Sequence, residues 1–253
     1  MVWSRPEQPA IPTVYYTFRA KDADSDELIS YRVEDLTEYR YDDMIQHFAE
    51  NFVDDEPLCE NRKVSSSDEG MRDMKLFWEW CFSQNMTLVC YKEGSDEIVG
   101  ANLLGVKTPE KYDWQLQMQS EKEGDILAAN EYLTDNFDLF GHYGVDMYLA
   151  AFGLSVNRRY RGRGIATEIL KARVPLCKAF GIKLTTTNFS APGSQKAAAK
   201  AGFKTDLEVT QIFVIQFPVE WDGLTLKDFI YIQWPKDKKI AAYMLQPQTS
   251  TIL

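Results

Sequence analysis

Histidine and cysteine are scarce in this 253-residue chain, and their placement excludes several chemistries. The two histidines, His47 and His142, lie far apart, so no histidine-based metal centre is expected and the metal-ligand set is taken as none. The four cysteines, Cys59, Cys81, Cys90 and Cys177, contain no C-x-x-C pair. That argues against a disulfide framework or zinc site and for a reduced, cytoplasmic setting. No run approaches the roughly 18 to 20 apolar residues of a membrane span. The first residues are broken by proline and lack an apolar signal core, so no secretory leader or membrane partner is expected. G-x-S-x-G, the Walker loop and the dinucleotide fingerprint are absent too, which weakens serine-hydrolase, nucleotide-triphosphatase and NAD readings.

What is present is an ordinary globular mixture, 45% apolar and 26% charged, long enough to bury a core without staples. Net charge is −10, but unevenly distributed. Residues 157 to 204 hold five Arg and six Lys against one acid, Glu168, leaving the remainder at −20. A basic segment inside an acidic body suggests one anionic ligand and one cationic ligand, although a solvated helix face would have the same composition. Nucleic acid is disfavoured, because the acidic body would repel an extended phosphate backbone.

Periodicity predicts a first strand over Glu27–Val33. Tyr41, Met44, Ile45, Phe48 and Phe52 then mark one face of an amphipathic helix that ends at the acidic turn Asp54–Pro57. A second helix follows Ser65–Ser67, with Met71, Met74, Trp78, Cys81 and Phe82 on one face. Strands over Met86–Lys92 and Glu97–Val106 are joined through Gly94-Ser95-Asp96. Residues 107–145 read as a polar insertion with helical pieces such as Asp125–Asp138, followed by a buried strand over Met147–Val156. The next helix carries Ile165, Ile169, Ala172 and Leu176, and Pro175 should kink or end it. A strand over Ile182–Thr187, a short helix over Ser194–Lys200, and a closing pair over Val209–Gln216 and Phe229–Gln233 complete the pattern. Helices interrupting a mixed sheet give an α/β (α+β) class with one core. The division is a 1–26 extension and a 27–253 domain carrying the insertion.

The sharpest signal is the junction from Leu154-Ser155-Val156 through Arg158–Gly164 to Ile165-Ala166. A buried strand turns through Gly162 and Gly164 into a helix N-terminus, where free N–H groups and the helix dipole favour an anion. Glycine lets backbone approach that anion closely.

Arg161-x-x-Gly164-x-Ala166 resembles the [RQ]-x-x-G-x-[GA] pyrophosphate loop of the GCN5-related N-acetyltransferase (GNAT) superfamily. The order strand, long helix, strand, short helix, Gly202-Phe203 matches as well. The resemblance implies acetyl-CoA, with its pyrophosphate on Arg161, Gly162, Arg163, Gly164, Ile165 and Ala166, and its pantetheine beside Leu154, Ser155 and Val156. Lys196 and Lys200 are candidates for neutralising the ribose phosphate. The tyrosine that many members use as thiolate acid is replaced by Ala198, so that mechanism does not carry over. Phe52–Leu58 is similar to the F-x-x-D-E-P-L stretch of insect arylalkylamine N-acetyltransferases, and Ser190 and Ser194 match their serine pair.

That resemblance implies Glu56 as general base on the substrate ammonium, with Ser190 and Ser194 relaying protons and assisting the thiolate. Read from the residues alone, Glu56 is one of three acids in a solvated turn and the serines are helix caps. An amine of pKa about 10 is protonated at neutral pH, so a base is required, and either burial raises the carboxylate or a water relay shares the task. The expected activity is acetyl transfer to small arylalkylamines such as dopamine, tyramine, tryptamine or serotonin, by direct attack in a ternary complex and as a monomer. Two alternatives stand. One is a polyamine or agmatine acetyltransferase, with Asp54, Asp55 or Glu60 holding the distal cation; the other is a non-catalytic acyl-CoA-binding protein.

Overall fold

In the computed structural model, residues 3–110, 120, 126, 138–209, 213–221, 224–232 and 240–245 are described. Burial along each strand reports its place in the sheet. The third and fourth strands, β3 (Leu88–Lys92) and β4 (Ile98–Lys107), are buried on both faces almost throughout. Strands β1 (Val14–Lys21) and β2 (Leu28–Asp35) alternate instead between covered and open residues, as strands towards an edge do. β5 is Tyr148–Val156, β6 Thr185–Phe189, β7 Lys204–Val209, β8 Phe213–Trp221, β9 Leu224–Ile232 and β10 Ile240–Leu245. Eight of these form one sheet in the order β1-β2-β3-β4-β5-β6-β10-β7, and β8 and β9 pair separately as an antiparallel hairpin. Within the large sheet only β5 and β6 run parallel; the other neighbours are antiparallel.

Helices cover both faces. On one lie α1 (Tyr41–Asn51), α2 (Pro57–Arg62) and α3 (Asp68–Ser83). Their Met44, Phe48, Trp78 and Phe82 pack on Val89, Ala101 and Leu103. α4 is the short helix Leu139–Tyr143, and α5 (Ile165–Ala179) covers the opposite face with Ile165, Ile169, Ala172 and Leu176 against Val33, Leu88 and Leu104. α6 (Pro192–Ala201) leans on α5 through Ala198, Leu170 and Phe203.

Several expectations need correction. Residues 14–21, read as part of an N-terminal extension, pair along their length with β2 as the edge strand. The acidic turn after α1 is the start of α2: Glu56 is its N-cap and Pro57 occupies the first turn, where a missing N–H costs nothing. α5 runs through Pro175 to Ala179. Ala172, Leu176 and Cys177 around the proline are fully buried, and that packing offsets the roughly 3 kcal/mol a mid-helix proline costs. The closing pair is shifted to β8 and β9, and β10 enters the sheet between β6 and β7. Most of the expected helical insertion lies outside the described residues. Among the described residues no helix is long and apolar enough to cross a membrane.

The feature that makes a site is a split in the sheet. β5 pairs with β4 over nearly its whole length, with a bulge at Phe152. Its parallel pairing with β6 covers only Leu149–Ala151 against Thr185–Thr187. Beyond the bulge, Gly153–Val156 has no strand partner on the β6 side among the described residues, and the two strands open a wedge.

Candidate functional site

The wedge opens into a cavity of about 610 Å³, lined on one wall by Leu154, Ser155 and Val156 and on the other by Thr186–Ser190. Its mouth is the turn after β5. There Gly162 (φ +77°) and Gly164 (φ +82°) take left-handed conformations that side-chain-bearing residues avoid. Gly164 is the N-cap of α5, and no side chain caps that helix. The first N–H groups of α5 therefore face the cavity beside Arg161, Gly162, Ile165 and Ala166. An open strand edge running into an uncapped helix N-terminus suits a ligand with an amide-bearing arm and a phosphate group.

The loop arginines are engaged rather than free. Arg161 donates to Val156 O (2.9 Å) and Asn51 O (2.8 Å) and pairs with Asp55 at 2.7 Å. Arg158 reaches the same Asp55 at 3.3 Å. Arg159 pairs with Asp24 and Glu97. Arg163 donates to the carbonyls of Asp22, Ala23, Arg159 and Arg161, which ties the loop to the β1–β2 turn. Much of the positive excess of residues 157–204 thus builds the loop. Lys196 and Lys200 are exposed at the cavity rim, without an ion-pair partner among the described residues.

Glu56 stands across the cavity. Its Oε2 accepts from Cys59 N at 2.8 Å, capping α2, and its Oε1 accepts from Ser190 Oγ at 2.5 Å. Desolvation raises its pKa above the ordinary carboxylate value, while the hydrogen bonds from Ser190, Cys59 and Leu58 pull the other way. The solvated-turn reading of this residue therefore fails: the carboxylate is hydrogen-bonded and desolvated inside the cavity. Ser190 does not cap α6, whose N-cap is Ala191 without a side-chain bond. Ser194 lies in the first turn and donates to Ala191 O at 2.8 Å, so it is not the cap either. Glu56, Ser190 and Ser194 all line the one cavity.

Phe52, Phe77 and Phe152 supply aromatic surface to the cavity, with Met74, Leu58 and Tyr148. Phe152 meets Phe77 edge-on at 5.5 Å, because the β5 bulge turns it towards α3. Sequence reasoning missed Asn51, whose carbonyl receives Arg161 and Ser155 Oγ and whose Oδ1 receives Arg158 N. It also missed Asp55 as the partner of two loop arginines. Only the excess of arginine without nearby acid hinted that a distant carboxylate was needed. His47 is buried on α1 and His142 exposed on α4, and neither lines the cavity. Ala198, which stands where the family tyrosine would be, is fully buried between α5 and α6.

Residues 41–203 match the profile of the acetyltransferase (GNAT) family. No curated protein matches. Among solved structures, the chain is similar to a yellow fever mosquito (Aedes aegypti) protein assigned as arylalkylamine N-acetyltransferase 7. The two share 36% identity and a TM-score of 0.83, over 97% of this chain and 100% of that one. Arylalkylamine N-acetyltransferase 2 of Aedes aegypti shares 23% identity over 86% of this chain and 99% of its own, with TM-score 0.64. The Drosophila melanogaster polyamine N-acetyltransferase that forms N-acetylagmatine shares 15% over 85% and 99%, with TM-score 0.66. The last two are likenesses of fold alone.

Proposed function

The chain belongs to the GNAT acetyltransferase family, and from that membership and the cavity's geometry we propose that it acetylates small arylalkylamines from acetyl-CoA. The observation that carries the reading is the Glu56–Ser190 pair, a desolvated carboxylate with a hydroxyl donor inside the cavity that also holds the glycine nest and open β5 edge. The residues fit acetyl-CoA as co-substrate. The N–H groups of 162–166 suit its pyrophosphate, Leu154–Val156 its pantetheine amides, and Lys196 and Lys200 its ribose phosphate.

In this reading Glu56 takes one proton from the substrate ammonium, whose pKa of about 10 keeps it charged at neutral pH. Its raised pKa makes it a better match for that proton than an exposed glutamate. The free amine then attacks the acetyl carbon, the C–S bond breaks, and the second nitrogen proton passes to the departing thiolate. Ser194, in the absence of the family tyrosine, is the cavity hydroxyl suited to hand over that proton after turning from Ala191 O. Ser190 holds Glu56 in place. The aromatic wall of Phe52, Phe77 and Phe152 favours an aryl tail.

A dicationic acceptor would need a second available acid. Asp55, the further carboxylate on the cavity wall, already answers Arg161 and Arg158. Asp54 and Glu60 are exposed and do not line the cavity. A thiol-release assay with acetyl-CoA tests the reading against tyramine, dopamine, tryptamine, serotonin, agmatine, putrescine and spermidine. Release with the aromatic amines alone is expected. Release with polycations alone would move the substrate class, and acetyl-CoA binding without release from any amine would favour a non-catalytic binder.

A further inference from the structure

Arg173 is sealed in the core with no exposure, and among the fully buried side chains of the described residues only Trp78 is larger. No carboxylate pairs with it among the described residues. Its guanidinium instead spans β5 and β6. Nη1 donates to Thr187 Oγ1 at 2.5 Å, and Nη2 donates to Thr186 O at 2.8 Å, to Leu149 O at 3.2 Å and to Thr185 Oγ1. The ring of Phe203 closes over it, 5.2 Å from the guanidinium carbon, and Nε has no acceptor. Burial draws its pKa down, and an arginine keeps its charge at neutral pH.

A buried cation without a counter-charge is costly, and an apolar residue filling the same volume would burden stability less. What arginine adds is a rigid fork of directed donors. Those donors fall on the only rungs that β5 and β6 share, Leu149–Ala151 with Thr185–Thr187. One residue further on β5 is the Phe152 bulge, and Ser190 follows directly on the last residue of β6. The fork comes from α5, the helix whose N-terminus forms the glycine nest. The Arg173 side chain therefore joins the nest's helix to the strand that delivers Ser190.

We propose that Arg173 is a positioning residue for acetyl transfer: its guanidinium clamps the last paired rungs of β5 and β6 to α5, and so fixes where β6 presents Ser190 to Glu56. The proposal rests on Glu56 being the base. Without the clamp, β6 keeps its β10 partner on the far edge but loses its tie to α5 and β5, and the Ser190–Glu56 bond loosens. That bond lowers the pKa of Glu56, so its loss moves the acid limb of the pH profile to higher pH.

The test compares Arg173→Met, Arg173→Lys and Thr187→Val with the unaltered enzyme, using the pH profile of kcat/KM, acetyl-CoA affinity, and amide hydrogen exchange along β6 and β3. The expected result for Arg173→Met is a kcat loss of about 10-fold or more, as for a hydrogen bond lost to a charged group. The acid limb should shift upward, acetyl-CoA affinity should hold, and exchange should accelerate at 185–190 but not in β3. Thr187→Val, which removes one acceptor at nearly constant volume, should move the same readouts less, and decides the matter if Arg173→Met does not fold. Faster exchange with an unshifted limb and full kcat per folded molecule would overturn the proposal, leaving a structural clamp only. Complete rescue by Arg173→Lys would overturn the fork in favour of plain charge. Glu56→Gln run alongside separates the two readings. Wild-type activity in that variant removes Glu56 as base, whereas loss of its acid limb with an unchanged Arg173→Met profile removes Arg173 alone.

Discussion

Glu56 and Ser190 are 134 residues apart in sequence and hydrogen-bonded at 2.5 Å across the cavity. The bond joins the N-cap of α2 on one side of the sheet's split to the end of β6 on the other. It sets two opposed influences on one carboxylate: desolvation raises its pKa, and the serine hydroxyl lowers it.

Replacing Glu56 by glutamine should lower kcat/KM at neutral pH by roughly 100-fold or more, the usual scale for a general base. The limb that rises as Glu56 ionises should vanish and activity should climb only at higher pH, where free amine accumulates. Acetyl-CoA affinity should stay nearly unchanged. Calorimetric titration and a pH series of initial rates check both; full activity of Glu56→Gln at pH 7 would remove the glutamate from the chemistry.

The same carboxylate has a stability consequence. Its folded pKa lies above its unfolded value, so the folded state binds the extra proton and stability falls as pH rises through that interval. Below the unfolded value the penalty is gone. Thermal unfolding of Glu56→Gln and wild type should therefore differ most in favour of the variant near neutrality and converge towards acid pH. A difference that grows on acidification would contradict the assigned direction.

Ser190→Ala should act through the same proton. Losing the donor leaves desolvation less opposed, so the acid limb moves to higher pH, with a loss of about 10-fold near neutrality from one charge-assisted hydrogen bond. An unmoved limb would mean that Ser190 serves something other than Glu56.

Gly164→Val should weaken acetyl-CoA binding by roughly 10-fold or more, because a β-branched residue resists the left-handed conformation that φ +82° demands. Space is not the obstacle, since an added Cβ meets nothing within 4 Å. Equilibrium binding of CoA measures this, and unaltered affinity would discredit the nest as the phosphate site.

His47 is 5% exposed on α1, with its Nε2 unpartnered, and burial lowers its pKa to about 4. The unfolded chain takes up a proton near 6.5 while the folded one resists until about 4. Stability should thus be lost as pH falls through that window, by about 3 kcal/mol in full. His47→Leu should flatten the loss in denaturant titrations between pH 7 and 4; an equally steep fall in the variant would place the acid sensitivity elsewhere.

Local pattern exposed the elements whose signals are local. The 3.6-residue spacing of Met44, Phe48, Met74 and Trp78 marked α1 and α3, and the run into Gly162 and Gly164 marked the loop at the start of α5. Pro175 does not end α5, because its cost is local while the burial of Ala172, Leu176 and Cys177 that offsets it is not. β10 was missed because its partners, β6 and β7, lie far earlier in the chain, whereas β1 was missed although its partner β2 follows it directly, its mostly open edge-strand residues giving little apolar alternation.

By itself the sequence determined the class of fold, the glycine turn at the start of α5 and the residue types available for chemistry, because each follows from nearest-neighbour periodicity, glycine conformation and side-chain identity. Only the tertiary structure decided what those residues face. Folding put Asp55 against two loop arginines, turned Ser190 from a candidate cap into the donor on Glu56, and set Arg173 across the rungs where the sheet divides. Desolvation, and the meeting of groups more than a hundred residues apart, are properties of packing, and no window of sequence contains them.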